Sequence, residues 1–253
     1  TITKPEFVFG FQGQSKYSYC PSALKQADGT VHLYFCGNPE NLIMVDNIFH
    51  IKINPDGTQT AAKSVLQPGV PGSWDDHHTC DPSVIEGNFT WKNTTYKYAM
   101  FFLSNMYGVY YNEIGVAFSN DLDTDSWVKY PQQIVKKTWS SEGDQEIGGG
   151  GKLLLTYTVG DIGGTRIVWT EADFSNMDTY SISTPQTIVQ TGLKAIDNQS
   201  RDYTCNSEFA IDKDADKIVM IRPVQPMPND YPNYLNSSLE IDYMNLSDFT
   251  NQR

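Results

Sequence analysis

The sequence predicts an all-β protein, a β-propeller built from four-stranded antiparallel blades. Related segments recur at a spacing close to 60 residues, which is the first observation behind this prediction. Cys20-Pro21-Ser22 stands 61 residues before Asp81-Pro82-Ser83, a further step falls beside Gly143, and Cys205-Asn206-Ser207 follows two steps after Asp81. Each repeat also contains short β-branched and aromatic runs, and no long helical pattern interrupts them. A period of this length indicates a repeat architecture, and four-stranded units repeated about an axis make a propeller.

Each repeat predicts the same succession of strands after its Pro-Ser or Asn-Ser position. Apolar second strands are expected at 31–35, 98–102, 152–156 and 217–221. Third strands of alternating polarity are expected at 49–53, 114–118, 166–170 and 239–243. Fourth strands are expected at 63–66, 131–135 and 185–189, the last two sharing the pattern Pro-Gln-x-Ile-Val. The fourth repeat lacks such a strand, and residues 5–9 offer a spare strand that could complete a final blade.

Length and charge restrict the classes of partner. A chain of 253 residues can bury the core of one large all-β domain, so we expect residues 1–253 to form a single propeller domain. A net charge of −12 disfavours nucleic acid and anionic membranes, which need basic patches. No apolar run approaches a membrane span, and the start at Thr1 without a hydrophobic leader is typical of a processed chain. We expect a monomer that is secreted or extracytoplasmic.

Four cysteines are too few for a disulfide scaffold, and their spacing fits no zinc motif. Cys20 and Cys205 are expected to face each other across a central channel, where they could form a disulfide or simply pack. Neither is predicted to be a nucleophile, because no partner that would favour a thiolate is evident. The pair His77-His78 predicts no metal site, since neighbouring side chains of an extended segment point to opposite sides.

One region resembles a known family. Its features are the run from Cys80 to Ile85, the run from Tyr96 to Phe102, and the run from Glu113 to Leu122 followed by Trp127. Together they resemble one blade of the five-bladed β-propeller glycoside hydrolases, the family 43 arabinanase and xylosidase group with features of families 32 and 68. Residues 77–135 match this pattern well and the rest of the chain matches it weakly. The resemblance implies five blades, of which four repeats are visible, and an axial pocket that binds carbohydrate.

The resemblance also implies carboxylate chemistry in that pocket. Such enzymes carry an Asp base or nucleophile, a second Asp and a Glu acid, because one carboxyl protonates the leaving oxygen while another activates water or attacks the sugar. Asp81 fits the Asp-Pro position of the pattern, and Glu146 or Glu142 would be the acid. No cofactor is required, and a structural Ca²⁺ in the central channel is implied by the resemblance alone.

Sugar contacts are expected near the same end of the molecule. A Trp beside carboxyl and imidazole groups suits a sugar ring, since its face stacks on CH groups while the polar groups bind hydroxyls. The predicted contacts are Trp74, Asp75, His78, Trp139, Arg201, Asp202 and Glu208.

Plain structural roles remain open for these residues. Asp81 could open a strand with an Asx-type turn, Glu142 could be a solvated loop carboxylate, and Glu146 could lie beside a bulge. Glu208 could be an exposed strand residue, the loop aromatics could pack against the propeller, and Arg201 with Asp202 could form a surface ion pair.

The hydrolase prediction therefore has two rivals. Cys20 and Cys205 stand where Asp81 stands in its own repeat, so the first blade lacks a carboxylate. That departure favours a non-catalytic carbohydrate-binding propeller. A structural or protein-interaction propeller is the third interpretation, because repeat architecture alone implies no chemistry.

Overall fold

A computed structural model describes residues 7–13, 16–40, 45–109, 111–124, 126–138, 140–161, 164–189, 193–194, 200–201, 207–223 and 239–250. Most of these residues are in β-strands, and their helical content is a single short helix, α1 (Leu246–Thr250). Within this part of the chain, no helix is long and apolar enough to cross a membrane.

Four small antiparallel sheets follow one another as the blades of a ring, which confirms the predicted all-β propeller. The first blade contains β1 (Tyr17–Lys25), β2 (Val31–Asn38), β3 (Asn47–Ile53) and β4 (Lys63–Leu66). The second contains β5 (His78–Trp91), β6 (Thr94–Asn105), β7 (Asn112–Ser119), β8 (Val128–Lys129) and β9 (Val135–Thr138). The third contains β10 (Ser140–Gly149), β11 (Lys152–Asp161), β12 (Gly164–Asp173), β13 (Ser181–Ile182) and β14 (Gln186–Val189).

A small two-stranded sheet of β15 (Leu193–Lys194) and β16 (Ser200–Arg201) precedes the fourth blade. That blade contains β17 (Glu208–Asp212), β18 (Lys217–Pro223) and β19 (Leu239–Asn245). Residues 224–238 and 251–253 lie outside the described residues, so the predicted lack of a fourth strand in this blade stays a prediction. The predicted second and third strands of all four repeats lie within observed strands.

The fourth strand is interrupted in the second and third blades. In the second blade β8 and β9 pair with β7 on either side of Pro131, and in the third blade β13 and β14 pair with β12 on either side of Pro185. Proline has no N–H to donate to the ladder, so it favours such a break at a sheet edge. The predicted strand at 131–135 is therefore wrong over most of its length.

Apolar side chains fill the spaces between successive blades. The cluster between the first and second blades contains Tyr34, Ile48, Met100 and Phe102. The cluster between the second and third blades contains Phe101, Val116, Leu155 and Val168. The cluster between the third and fourth blades contains Leu154, Trp169, Phe209 and Met220. Face-to-face packing of this kind fixes how the blades follow one another. It brings the first strand of each blade to the inside, where β5 contacts β1 and β10, and β10 contacts β17.

The N-terminal segment has a different role from the predicted one. Its described part, residues 7–13, forms no strand. The rings of Phe9 and Phe11 instead pack against Phe35 and Phe49 on the first blade. Aromatic burial holds this segment without a backbone ladder.

Candidate functional site at the inner strands

The inner strands β1, β5 and β10 leave regular antiparallel pairing at equivalent places. In each strand two residues stand opposite one residue of the neighbouring strand, which shifts the register by one, and these pairs are Cys20-Pro21, Asp81-Pro82 and Glu142-Gly143. The first residues of these pairs stand 61 residues apart in the sequence. The sequence repeat is therefore also a repeat of backbone geometry at the ring's inside.

Cys20 and Asp81 share an uncommon backbone conformation. Both have φ of 47°, in the left-handed region that side chains with a Cβ rarely adopt. Such a conformation costs about 1–3 kcal/mol and persists only where the surroundings impose it. Because the first residue of both bulges has this strained conformation, the fold imposes the same backbone geometry, and the same side-chain placement, at the two equivalent positions.

The register also separates the two acidic candidates of the third blade. Glu142 lies inside the shift of β10, whereas Glu146 lies beyond it, opposite Leu153. By backbone position Glu142 is thus the counterpart of Asp81. The side chains of both glutamates lie outside the described part of the structure.

Asp81 is surrounded by sulfur. Its carboxyl is buried, its Oδ1 lies 3.7 Å from Cys36 Sγ, and its backbone N–H donates to the same sulfur at 2.6 Å. Burial raises the pKa of the Asp81 carboxyl to about 6, and the nearby Asp46 carboxylate acts in the same direction against the thiol hydrogen bonds.

Cys20, Cys36 and Cys80 form one cluster with Leu103, and all three are free thiols. A hydrogen bond with Cys36 lowers the pKa of the Cys20 thiol, but burial and the Asp81 carboxylate outweigh it and raise the pKa to about 12. The thiol at the first-blade position is therefore protonated at neutral pH, which makes it a poor nucleophile. Cys205 lies outside the described residues, so the predicted pair with Cys20 stays a prediction.

A polar network that sequence reasoning missed lies beside the thiols. The hydroxyls of Tyr17 and Tyr19 donate to the two oxygens of Asp46, at 2.6 and 3.1 Å. His78 Nδ1 lies 3.2 Å from Asp46 Oδ2. The imidazole of His78, which was predicted to contact a sugar, is therefore half-buried in this network. Burial raises the pKa of both tyrosines, with Asp46 adding to the effect. The signal available in the sequence was the Tyr-x-Tyr pair directly before the Cys20 bulge, which places both rings on one side of the strand.

Two predicted sugar contacts serve the structure of their loop. The ring of Trp74 stacks on Phe102 with centroids 5.9 Å apart. The buried Asp75 carboxylate accepts from Lys129 Nζ at 2.7 Å and from Ser73 Oγ at 2.7 Å. These contacts correspond to the loop-packing alternative.

Exposed aromatic rings lie beside that loop. Tyr107 is 76% exposed and meets His77 edge to face with centroids 5.1 Å apart. The backbone N–H of Tyr107 donates to Asp76 Oδ1 at 2.7 Å, which ties the two loops together. An anchored and exposed ring of this kind suits stacking on a ligand.

Glu208 faces a cavity of about 1000 Å³ between β1, β5 and β17. Its side chain is exposed to this channel, and crowding by the inner strands raises its pKa to about 7 through loss of hydration. Trp139 and Asp202 lie outside the described residues, as does the side chain of Arg201, whose backbone belongs to β16.

The residues around Asp81 do not fit calcium. Ca²⁺ binds six to eight oxygens, whereas the described donors beside Asp81 are thiols. A structural Ca²⁺ elsewhere in the channel stays a prediction.

No protein-family model matches the chain, and no curated protein matches it. Solved structures do share its fold. A protein described as a glycoside hydrolase superposes with a TM-score of 0.65 at 11% identity, covering 94% of this chain and 73% of that one. A family 43 endo-arabinanase from Bacillus licheniformis gives a TM-score of 0.53 at 14% identity, covering 93% and 73%. A family 117 glycoside hydrolase from the marine bacterium Zobellia galactanivorans gives 0.53 at 11% identity, covering 91% and 72%. The chain therefore has the fold of propeller glycoside hydrolases.

Proposed function

We propose that this chain is a glycoside hydrolase-like propeller that cleaves a polysaccharide or oligosaccharide with Asp81 and Glu142 as its two carboxyl groups. The observation that carries the proposal is the shared register shift of β1, β5 and β10, because it gives positions 20, 81 and 142 equivalent backbone placements. The fold shared with glycoside hydrolases supports the same reading.

Hydrolysis of a glycosidic bond needs two carboxyl groups in different roles. One protonates the leaving oxygen while the other activates water or attacks the anomeric carbon. Asp81 and Glu142 are carboxyl residues at equivalent positions of neighbouring inner strands, which supports pairing them. Glu146 is the less favoured partner because it lies beyond the register shift.

The sugar chain would lie across the loops beside these bulges. Tyr107 and His77 offer aromatic surface there, and His78 and Glu208 offer polar groups at the rim and in the channel. Arg201, Asp202 and Trp139 remain proposed contacts. A substrate of this class would place the protein outside the cytoplasm, in line with the expected secretion.

A binding propeller without catalysis is the second candidate. The observation that favours it is Cys20, a thiol with a pKa near 12 at the position where a first-blade carboxylate would complete the implied trio. A protein of this kind would bind its polysaccharide and release no sugar.

The deciding experiment measures reducing-sugar release from arabinan, xylan, fructan and mannan by the wild-type chain, in the presence of reductant and chelator. Hydrolysis of one polymer that falls at least 100-fold in Asp81→Asn and in Glu142→Gln would support the enzyme. Glu171→Gln, on the outer strand β12, is the matched control and should keep full activity. Melting temperatures of all variants exclude unfolding as the cause.

Other outcomes separate the rivals. Retention on one insoluble polymer without release of sugar, unchanged in Glu142→Gln, would support the binding propeller. A chain that releases no sugar and is not retained on any polymer would support the structural or protein-interaction propeller. Loss of activity in Glu146→Gln instead of Glu142→Gln would overturn the register argument.

A further inference from the structure

We propose that Cys20, Cys36 and Asp81 form a binding site for a thiophilic divalent cation, with Zn²⁺ as the simplest biological case. The two sulfurs and a carboxylate oxygen all lie within 4.8 Å of one another, on side chains from three strands of two blades. The site goes beyond the proposed function and does not depend on it.

The separations suit tetrahedral coordination. Zinc binds sulfur at about 2.3 Å and carboxylate oxygen at about 2.0–2.2 Å, so ligand atoms on its coordination sphere lie about 3.5–3.8 Å apart. Cys36 Sγ and Asp81 Oδ1 are already 3.7 Å apart. The remaining separations are at most 4.8 Å, which is about 1 Å more than this coordination needs.

The backbone holds the donors in place before any cation binds. Cys20 and Asp81 occupy the two strained bulge positions at φ of 47°. Cys36 comes from β2, where it pairs with Tyr19 directly before the Cys20 bulge, and it is completely buried. Cys80 is also buried in the same sulfur cluster, which makes it a candidate for a further ligand.

The charge of the Asp81 carboxylate and the soft sulfur ligands indicate which kind of cation would bind. In the described part of the chain Asp81 has no ion pair with Lys or Arg, and its carboxyl is hydrogen-bonded to the thiols of Cys20 and Cys36. A divalent cation would compensate the buried carboxylate and the thiolates formed as their protons are released. Thiolate ligands select zinc and related soft metals over calcium and magnesium.

The clustered thiols could instead form a disulfide, between Cys36 and either Cys20 or Cys80. The carboxylate donor and the third thiol favour a cation, because a disulfide uses two sulfurs and leaves the buried Asp81 without a partner. In the metal-bound form Asp81 is a ligand and is no longer available as a base or nucleophile. Metal binding and carboxyl catalysis therefore exclude one another, and the test measures binding without any substrate.

The test uses the full chain, reduced and freed of metal with a chelator, and titrates it with Cd²⁺ as a spectroscopic probe. We expect uptake of one equivalent with an ultraviolet thiolate-to-cadmium charge-transfer band, displaced by Zn²⁺. Cys36→Ser and Asp81→Asn should each weaken binding at least 10-fold. Asp28→Asn, a carboxylate of the exposed turn after β1, is the matched control and should bind like the wild type.

A second measurement keeps the proposal falsifiable if a thiol variant fails to fold. Zinc-edge X-ray absorption of the loaded wild-type chain should show sulfur and oxygen together among the atoms bound to zinc. Uptake that is unchanged in Asp81→Asn, a zinc bound to nitrogen and oxygen alone, or no uptake would each overturn the site. A reduced chain that takes up no metal but forms a Cys36 disulfide in air would identify a redox pair instead.

Discussion

At the inner end of the first blade, the Asp46 carboxylate binds side chains from two different blades. This carboxylate belongs to the segment between β2 and β3, yet it accepts from two tyrosines of β1 and lies beside His78 at the start of β5. Hydrogen bonds to a charged acceptor are stronger than those between neutral groups, so each phenol contributes measurably to stability. Asp46 thereby connects two blades at the site.

Tyr17→Phe removes one of these donors and leaves the ring in place. We expect the free energy of unfolding to fall by about 1–3 kcal/mol in urea titrations, because the bond to Asp46 is lost. Tyr107→Phe is the control, since that ring is 76% exposed and should change stability little. In an Asp46→Asn background the cost of Tyr17→Phe should shrink, and an unchanged cost would contradict the network.

Gly115 of β7 allows the loop before β5 to pack closely on the second blade through Trp74. A Cβ at Gly115 of β7 would lie 2.5 Å from Phe102 Cζ and 2.7 Å from Trp74 Cη2. Both neighbours are rings that stack on each other, so neither can withdraw without losing its own packing.

Gly115→Ala should therefore destabilise the protein by about 1–3 kcal/mol through overpacking, measured as a lower urea midpoint. Gly10→Ala is the matched control, because the nearest atoms to its added Cβ lie 3.4 Å or more away, at ordinary contact distance. Equal stability of the two variants would mean that Trp74 is free to move, as a sugar platform would be.

At the scale of the whole molecule, the channel between the inner strands sets a pH dependence. Glu208 has its pKa raised from 4.5 to about 7 by loss of hydration. The folded state therefore prefers the protonated carboxyl, and stability falls as pH rises from about 4.5 through 7. Channel water moderates the size of this effect.

Glu208→Gln removes the charge and should raise the melting temperature at pH 8 by about 2–4 °C, the shift expected for about 1 kcal/mol in a chain of this size. The difference should vanish near pH 4, where the wild-type carboxyl is protonated in both states. Glu171→Gln on β12 should show no such pH-dependent gain. A lower melting temperature for Glu208→Gln at pH 8 would indicate that the carboxylate has a stabilising partner.

The repeat, most of its strands and the place of Asp81 in the repeat could be predicted from the amino-acid sequence. These follow from local causes, because β-branched and aromatic runs favour strands and turn residues end them. The 61-residue spacing even reaches Glu142, although the sequence pattern alone did not choose it over Glu146. The second blade shows the limit of a local argument. Pro-Gln-x-Ile-Val predicted a strand over 131–135, where only Val135 is in a strand, whereas the same pattern at 185–189 forms a strand over Gln186–Val189.

The surroundings of Asp81, in contrast, depend on contacts between residues far apart in the chain. Cys36 lies 45 residues before Asp81 in the chain, and Asp46 lies in a segment between strands, so no local pattern relates either of them to the bulge. Packing of the first two blades brings β2 beside the start of β5 and turns dispersed cysteines into one cluster with a carboxyl. The same packing leaves Trp74 half-buried against Phe102, because the space available to a side chain depends on which sheet faces it.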